Sequence, residues 1–153
     1  MNGGEDGSLD QAAVGQRHEV VMTVNQVELA RVLAWADANW RSEAALLVYS
    51  TAEPAQVSAA HAQLGAARCS AVVEQAMAAL ARAFVQRGVG SLVVAGGETA
   101  GICVQALDIR QMQIGPQIDP GVPWCYADGL HLALKSGNFG SPDFFNKAFA
   151  FLD

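Results

Sequence analysis

Basic residues are scarce in this sequence, which carries 9 Lys and Arg against 15 Asp and Glu and has a formal net charge of −6. No run of five or six Lys or Arg occurs anywhere along the chain. Because binding to nucleic acid needs a clustered basic face, this charge balance argues against a nucleic-acid partner. The acidic balance favours a small-molecule ligand.

Long hydrophobic runs are also missing. The longest unbroken apolar stretches, such as residues 44–49, are far shorter than the roughly 20 residues that a membrane-spanning helix needs. The first residues include Glu5, Asp6 and Asp10 and no apolar segment, unlike a secretory signal. We therefore expect no membrane partner and a cytoplasmic location.

Cysteine and histidine are too few and too scattered for a zinc or disulfide framework. The chain has three cysteines with wide spacings and no C-x-x-C pair: Cys69, Cys103 and Cys125. Its three histidines are equally far apart, so no metal site is predicted. No G-x-S-x-G or other nucleophile motif occurs, so we predict neither covalent catalysis nor a catalytic residue.

The apolar content of 52% and charged content of 16% over 153 residues are typical of one globular domain. Residues 1–17 contain four glycines and are predicted to be a flexible leader, with the domain covering residues 18–153. Strand-like and helix-like segments then alternate. They predict an α/β fold with a mixed, largely parallel sheet and helices on both faces, a Rossmann-like three-layer sandwich.

The predicted elements follow from local pattern. The predicted strands are residues 18–24, 44–50, 91–95, 112–118 and 124–134, of which the last two are expected to form an antiparallel pair. The predicted helices are residues 26–41, two Ala-rich segments divided by Gly65, residues 99–107 and residues 144–152. The longer Ala-rich helix, residues 67–87, is expected to end on Gly88. Ser141, Pro142 and Asp143 are expected to start the last helix.

The first candidate site is the segment V-V-A-G-G-E-T-A-G, residues 93–101. A buried strand that runs through Gly96 and Gly97 into a helix exposes backbone N–H groups at a helix N-terminus, where anions bind. Thr99 can cap the helix or bind a phosphate oxygen, and Glu98 can hold a ribose hydroxyl or a metal-bound water. The segment fits neither G-x-G-x-x-G nor the P-loop, and a tight turn without ligand explains it equally well.

The second candidate site is the segment L-K-S-G-N-F-G-S-P-D, residues 134–143, which repeats the order of strand, glycine-rich loop and helix start. Lys135 adds a positive charge at the end of the strand, as a polyphosphate site requires. Asn138 lies between Gly137 and Gly140 and tolerates positive φ. A lone lysine is more often solvated, but this position favours a functional one.

A third segment, residues 114–124, contains three prolines and two glycines, which fix the backbone rather than supply chemistry. Asp119 precedes a proline and is interpreted as a turn residue, although a functional role stays open. Trp124 is predicted to lie in the core or in a pocket wall.

Taken together, "RGVGSLVVAGGETAG", "QIGPQIDPGVPW" and "LALKSGNFGSPDFF" resemble the C-terminal nucleotide-binding domain of the four-carbon acid sugar kinase family. This family includes 3-oxo-tetronate, D-threonate and D-erythronate kinases. The resemblance is dense over residues 87–145 and looser back to about Gln26.

The resemblance implies that ATP, with Mg²⁺, binds between the two glycine loops. In the first loop the implied ATP-binding residues are Gly96, Gly97, Glu98, Thr99 and Gly101. In the second they are Lys135, Ser136, Gly137, Asn138 and Gly140. This chain has Ala100 where the family usually has Ser, which removes one hydroxyl ligand.

Family members also have an N-terminal domain that binds the sugar acid and carries an Asp-Asp-x-Thr-Gly-Ala motif, which this sequence lacks. The resemblance therefore implies a chain that binds ATP but needs a missing or separately encoded sugar-acid-binding domain as partner. Self-association into a homo-oligomer would cover an apolar face meant for that partner. The alternatives are a nucleotide-binding or interaction module without catalysis, and a degenerate fragment.

Overall fold

The computed structural model of the chain describes residues 26–41, 45–50 and 53–152, and a four-stranded β-sheet lies at its centre. The strands are β1 (Ser91–Ala95), β2 (Gln113–Asp119), β3 (Val122–Ala127) and β4 (Leu130–Lys135). Their order across the sheet is β1-β4-β3-β2. The β1–β4 pair is parallel, and the other two pairs are antiparallel.

Five helices accompany the sheet in the described ranges: α1 (Gln26–Asn39), α2 (Pro54–Leu64), α3 (Ala66–Gln86), α4 (Gly97–Ala106) and α5 (Phe144–Ala150). As predicted, Gly65 separates the two Ala-rich helices, and Gly88 follows the longer one with a φ of +92°. None of these helices is both long and apolar enough to cross a membrane.

Helices cover both faces of the sheet because side chains alternate along its central strands. On one face, Leu130 and Leu132 pack against Ala81 of α3 and Cys103 of α4. On the other face, Ala133 joins a cluster that contains Trp124, Phe144 and Ala148, the last two from α5. The α/β class, the mixed sheet and the three-layer arrangement are thus confirmed.

The helix α1 packs on α3 rather than on the sheet. Its Val32 is 1% exposed and contacts Leu80, and Val48 packs against the same cluster. The Arg87 guanidinium, just past α3, forms two hydrogen bonds with the Asp37 carboxylate of α1, at 2.9 and 3.3 Å. This helical layer holds α3 against the sheet from outside.

Three of the predictions about strands differ from the structure. The described part of the predicted strand 44–50 is irregular, and the half-buried Val48 packs against the helical cluster of Val32 and Leu80. The segment 124–134 is two strands, split by a tight turn in which Asp128 and Gly129 have φ values of 50° and 82°. Such an Asp-Gly pair is the usual two-residue hairpin turn. In the described residues one strand pairing of three is parallel, fewer than "largely parallel" implies.

The predicted leader 1–17 and the predicted strand 18–24 lie outside the described residues. The helix predicted at residues 26–41 is α1, which ends two residues earlier, at Asn39. The helix predicted to begin at Thr99 already begins at Gly97. The starts and ends of the other helices agree with the sequence pattern to within about two residues.

Candidate functional site: two glycine loops at one sheet edge

The two glycine loops lie side by side because β1 and β4 are parallel neighbours. The last pair in their register is Ala95 with Lys135, so both strands end at the same edge of the sheet. The Gly96 N–H donates to the Lys135 carbonyl oxygen at 2.8 Å, which extends the pairing one residue into the loops. The carboxyl ends of parallel strands are the usual place for ligands in α/β sheets.

The first loop turns the chain directly from β1 into α4. Gly96 has a φ of +110° and is the N-cap residue, and no side chain caps the helix. The first helical bond runs from the Ala100 N–H to the Gly96 carbonyl oxygen at 2.8 Å. The N–H groups of Gly97, Glu98 and Thr99 therefore have no carbonyl partner within the helix and lie at the positive end of its dipole.

The second loop follows β4 and folds back on the lysine that starts it. The Lys135 ammonium donates to the Gly137 carbonyl oxygen at 3.0 Å, and the Phe139 N–H donates to the Ser136 carbonyl oxygen at 3.1 Å. Gly140, not Asn138, takes the positive φ, at +91°. The loop thus holds its positive charge beside its own backbone.

Gly97 of the first loop also lies next to Ser136 of the second loop. A methyl group placed on Gly97 would lie 3.7 Å from the Ser136 hydroxyl oxygen. Gly97, Glu98 and Ser136 are all exposed. The exposed amides of α4 and the lysine loop therefore border one open edge.

The remaining predicted residues are distributed around this edge. Thr99 is half-buried in the first turn of α4, and Gly101 is exposed on the same helix. Gly137, Asn138 and Gly140 are exposed along the second loop. Ala100, the departure from the family pattern, is buried at 8% exposure and packs in the core cluster under α4.

Asp119, which the sequence pattern indicated as a turn residue with a functional role left open, is a buried carboxylate. It is 6% exposed at the end of β2, and its Oδ2 accepts hydrogen bonds from the N–H and the hydroxyl of Ser141, at 2.8 and 2.7 Å. The Lys147 ammonium of α5 pairs with Oδ1. The bond from Lys147, with those from Ser141, lowers the pKa of Asp119 to about 2.

Ser141 was predicted as the N-cap of the last helix, but the N-cap of α5 is Asp143. The Ser141 hydroxyl bonds to Asp119 instead, while its carbonyl oxygen accepts the Phe144 N–H at 3.0 Å. The sequence pattern predicted a turn at Asp119 and a cap at Ser141, each from its own neighbours. It therefore did not predict the hydrogen bonds between these two residues, which are 22 positions apart.

The turn between β2 and β3 also contacts the second loop at Gly121. A methyl group placed there would lie 2.9 Å from Cδ1 of Phe139 and 3.0 Å from its Cε1.

Trp124 on β3 is 2% exposed, and its indole N–H donates to the Ala148 carbonyl oxygen at 2.8 Å. Its predicted place in the core is confirmed.

Within the described residues, no group of three or more His, Cys, Asp or Glu side chains could hold a metal ion. His61 is exposed, and His131 lies among the rings of Trp124 and Tyr126. The three cysteines are free, and burial raises the pKa of the Cys103 thiol. These thiols and imidazoles take no part in the glycine-loop site.

A groove of about 400 Å³ between α3 and α4 is separate from the glycine loops. It is lined by Gln75, Ala78, Ala79, Arg82, Ile102, Gln105 and Ala106. The Arg82 guanidinium there donates to the Ala106 carbonyl oxygen at the last residue of α4, whereas the loops adjoin the first. We therefore base the candidate site on the open sheet edge.

Comparison with known proteins identifies the nucleotide-binding C-terminal domain family, whose model matches residues 11–145. The 3-oxo-tetronate kinase of Pseudomonas fluorescens is 46% identical over 84% of this chain and 30% of its own length. The 3-oxo-tetronate kinase of Cupriavidus necator is 43% identical over 93% of this chain and 36% of its own length.

A crystal structure of a Haemophilus influenzae protein superposes with a TM-score of 0.76 at 39% identity, covering 92% of this chain and 33% of that protein. The chain thus spans about a third of the length of the relatives it matches. The motifs, the sheet edge and these similarities agree, and the chain belongs to the nucleotide-binding C-terminal domain family of the four-carbon acid sugar kinases.

Proposed function

We propose that this chain is the ATP-binding domain of a kinase that phosphorylates four-carbon sugar acids, the tetronates. The observation that carries the proposal is the parallel β1–β4 register, which ends both strands at one edge and brings Gly97 next to Ser136. Relatives that match over 84% and 93% of this chain are named 3-oxo-tetronate kinases.

Phosphoryl transfer depends mainly on positioning and on neutralising charge. In the proposed complex, the free N–H groups of Gly97, Glu98 and Thr99 donate to phosphate oxygens of ATP. The Lys135 ammonium, which now donates to Gly137, turns to a phosphate oxygen. Ser136, Asn138 and the exposed backbone at Gly137, Gly140 and Gly101 complete the contacts with the nucleotide.

Magnesium would arrive with the nucleotide. Mg²⁺ retains several waters and binds through substrate phosphates and one or two carboxylates, so it needs no protein cage. The described residues hold no such cage, and Glu98 offers an exposed carboxylate in the first turn of α4. We assign Glu98 either to a metal-bound water or to a ribose hydroxyl.

The direct test is calorimetric titration of the 153-residue chain with ATP and Mg²⁺. Binding with one site per chain is expected, together with a melting temperature that rises with nucleotide concentration. An unchanged melting temperature and no heat at millimolar nucleotide would overturn the proposal and favour a fragment that binds nothing.

Lys135→Ala is expected to weaken ATP binding by roughly 10- to 100-fold, since a hydrogen bond to a charged group contributes about 1.5–3 kcal/mol. Arg110→Ala is the matched control, because it removes the same charge from an exposed side chain beyond the last residue of α4. Affinities from titration at constant salt separate the two. Equal losses in both variants would mean that net charge, not position, accounts for the effect.

The isolated chain is expected to show negligible kinase activity, because we assign the sugar acid and its base to a partner domain outside this sequence. The chain covers about a third of its relatives' length. The measurement is ADP release from ATP with tetronates, for this chain alone and for a full-length relative as positive control. Tetronate-dependent turnover by the chain alone would contradict the expectation.

We propose a cytoplasmic protein, because its three cysteines are free thiols. Ile114 on the edge strand β2 is 80% exposed, and such apolar surface suits either the partner domain or a second copy of this chain.

A further inference from the structure

The turn between β2 and β3 contacts the second glycine loop at two independent points. Asp119, the last residue of β2, accepts both hydrogen bonds from Ser141, the residue that follows Gly140. Gly121 lies against the Phe139 ring, since a methyl group placed on Gly121 would lie 2.9 Å from Cδ1 of Phe139. The same turn therefore fixes the loop on both sides of Gly140.

The polar contact at Asp119 is made by a charged and buried carboxylate. A buried carboxylate must be paired and hydrogen-bonded to stay charged, and Asp119 meets both conditions through Ser141 and Lys147. Its lowered pKa keeps it ionised at neutral pH. Bonds to an ionised acceptor are about twice as strong as neutral ones, so Asp119 can hold a loop of small residues in one shape.

That shape determines where the lysine charge lies. A methyl group placed on Gly140 would lie 3.1 Å from Cε of Lys135, so the Lys135 side chain runs beside the loop at this residue. The Lys135 ammonium also reaches the Gly137 carbonyl oxygen of the loop. Displacement of Ser141 and Gly140 would therefore displace the ammonium as well.

We propose that Asp119 is a positioning residue of the nucleotide site: through Ser141 it holds the second glycine loop in the shape that presents Lys135 to the phosphates. This inference rests on the proposed ATP site. In this proposal Asp119, which is 6% exposed and bonded to Ser141 and Lys147, acts through the loop and not by contact with the nucleotide. Without it the loop samples other shapes, and the apparent dissociation constant rises by the factor by which the competent fraction falls.

The test is Asp119→Ala in the full chain, with Asp37→Ala as matched control, because the Asp37 carboxylate of α1 also forms an ion pair between elements, with Arg87 just past α3. We expect Asp119→Ala to raise the Kd for ATP with Mg²⁺ about tenfold. Asp37→Ala should leave it unchanged. Calorimetry at a temperature where circular dichroism shows both variants folded gives the two values.

Amide hydrogen exchange by NMR separates positioning of the loop from mere support of α5. The Phe139 N–H bonds within the loop and the Lys147 N–H bonds within α5, to Asp143 at 3.0 Å. Loop positioning predicts at least tenfold faster exchange at Ser141 and Phe139 in Asp119→Ala without nucleotide. A role confined to α5 predicts faster exchange at Lys147 and none at Phe139.

If Asp119→Ala does not fold, Ser141→Ala replaces it, because it keeps the Asp119–Lys147 ion pair and the backbone bond and removes only the hydroxyl. A rise of about threefold in Kd, with faster exchange at Phe139, is then expected. Unchanged Kd in a chain whose parent binds ATP overturns the inference. A parent that binds no ATP overturns the proposed function instead, while the exchange rates still report on the loop.

Discussion

Gly97→Val is expected to abolish measurable ATP binding while the chain stays folded. Gly97 is the first residue of α4, its φ is not in the left-handed region, and an added methyl would meet only the Ser136 hydroxyl at 3.7 Å, an ordinary contact. Valine also has a better helix propensity than glycine. Its further methyl groups would enter the gap between the loops, where phosphate oxygens must approach the amides.

The expected loss of affinity is at least on the order of 100-fold, or about 2.7 kcal/mol. Titration with ATP and Mg²⁺ measures it, and urea unfolding checks the fold. Gly90→Val is the matched control, since Gly90 has no atom within 4 Å of an added methyl and lies just before β1, at the other end of that strand. A Gly97→Val chain that binds ATP as tightly as the parent would place the nucleotide elsewhere.

The local sequence pattern predicted the strand, the glycine loop and the helix at each half of this site, but not that the two loops lie side by side. A buried apolar run followed by two glycines and small helix formers predicts a strand, a turn and a helix, and β1, Gly96 and α4 follow that order. The same holds for β4 and Lys135. That these strands are neighbours depends on a parallel pairing between residues about 40 positions apart, and no local preference determines such a pairing.

Two predicted strands, residues 44–50 and 124–134, differ from the structure. The run at residues 44–50 is apolar enough for a buried strand, but α1 and α3 offer Val48 an apolar surface without strand pairing. Short apolar runs do not distinguish these two kinds of burial. The Asp128–Gly129 turn, in contrast, carries a recognisable two-residue signal, and its positive φ values explain why β3 and β4 separate there.

The contacts that Asp119 makes with Ser141 and Lys147 could not be predicted from the sequence. Of its two partners, Ser141 was explained locally as a helix cap, and the sequence pattern assigned no role to Lys147. Their convergence on one carboxylate needs the β2–β3 turn to lie against the second loop, which only the folded sheet brings about. Buried ionised groups of this kind are therefore found from burial and hydrogen bonding, not from spacing.

Gly140→Ala is expected to lower the free energy of unfolding by about 2–4 kcal/mol, in contrast with Gly97→Val. Gly140 has a φ of +91°, which strains any L residue, and an added methyl would lie 2.9 Å from Cδ2 of Phe144 and 3.1 Å from Cε of Lys135. Phe144 is 1% exposed and cannot yield without disturbing the core under α5. The variant therefore combines backbone strain with overpacking.

Gly129→Ala separates the two causes, because Gly129 has a similar φ of +82° with nothing within 4 Å of an added methyl. It should cost about 1–2 kcal/mol, the strain alone. Urea unfolding of both variants gives the difference that we attribute to Phe144 and Lys135. Equal losses in the two variants would show that the contacts at Gly140 relax freely. In that case the second loop would lack the rigid support that presenting Lys135 requires.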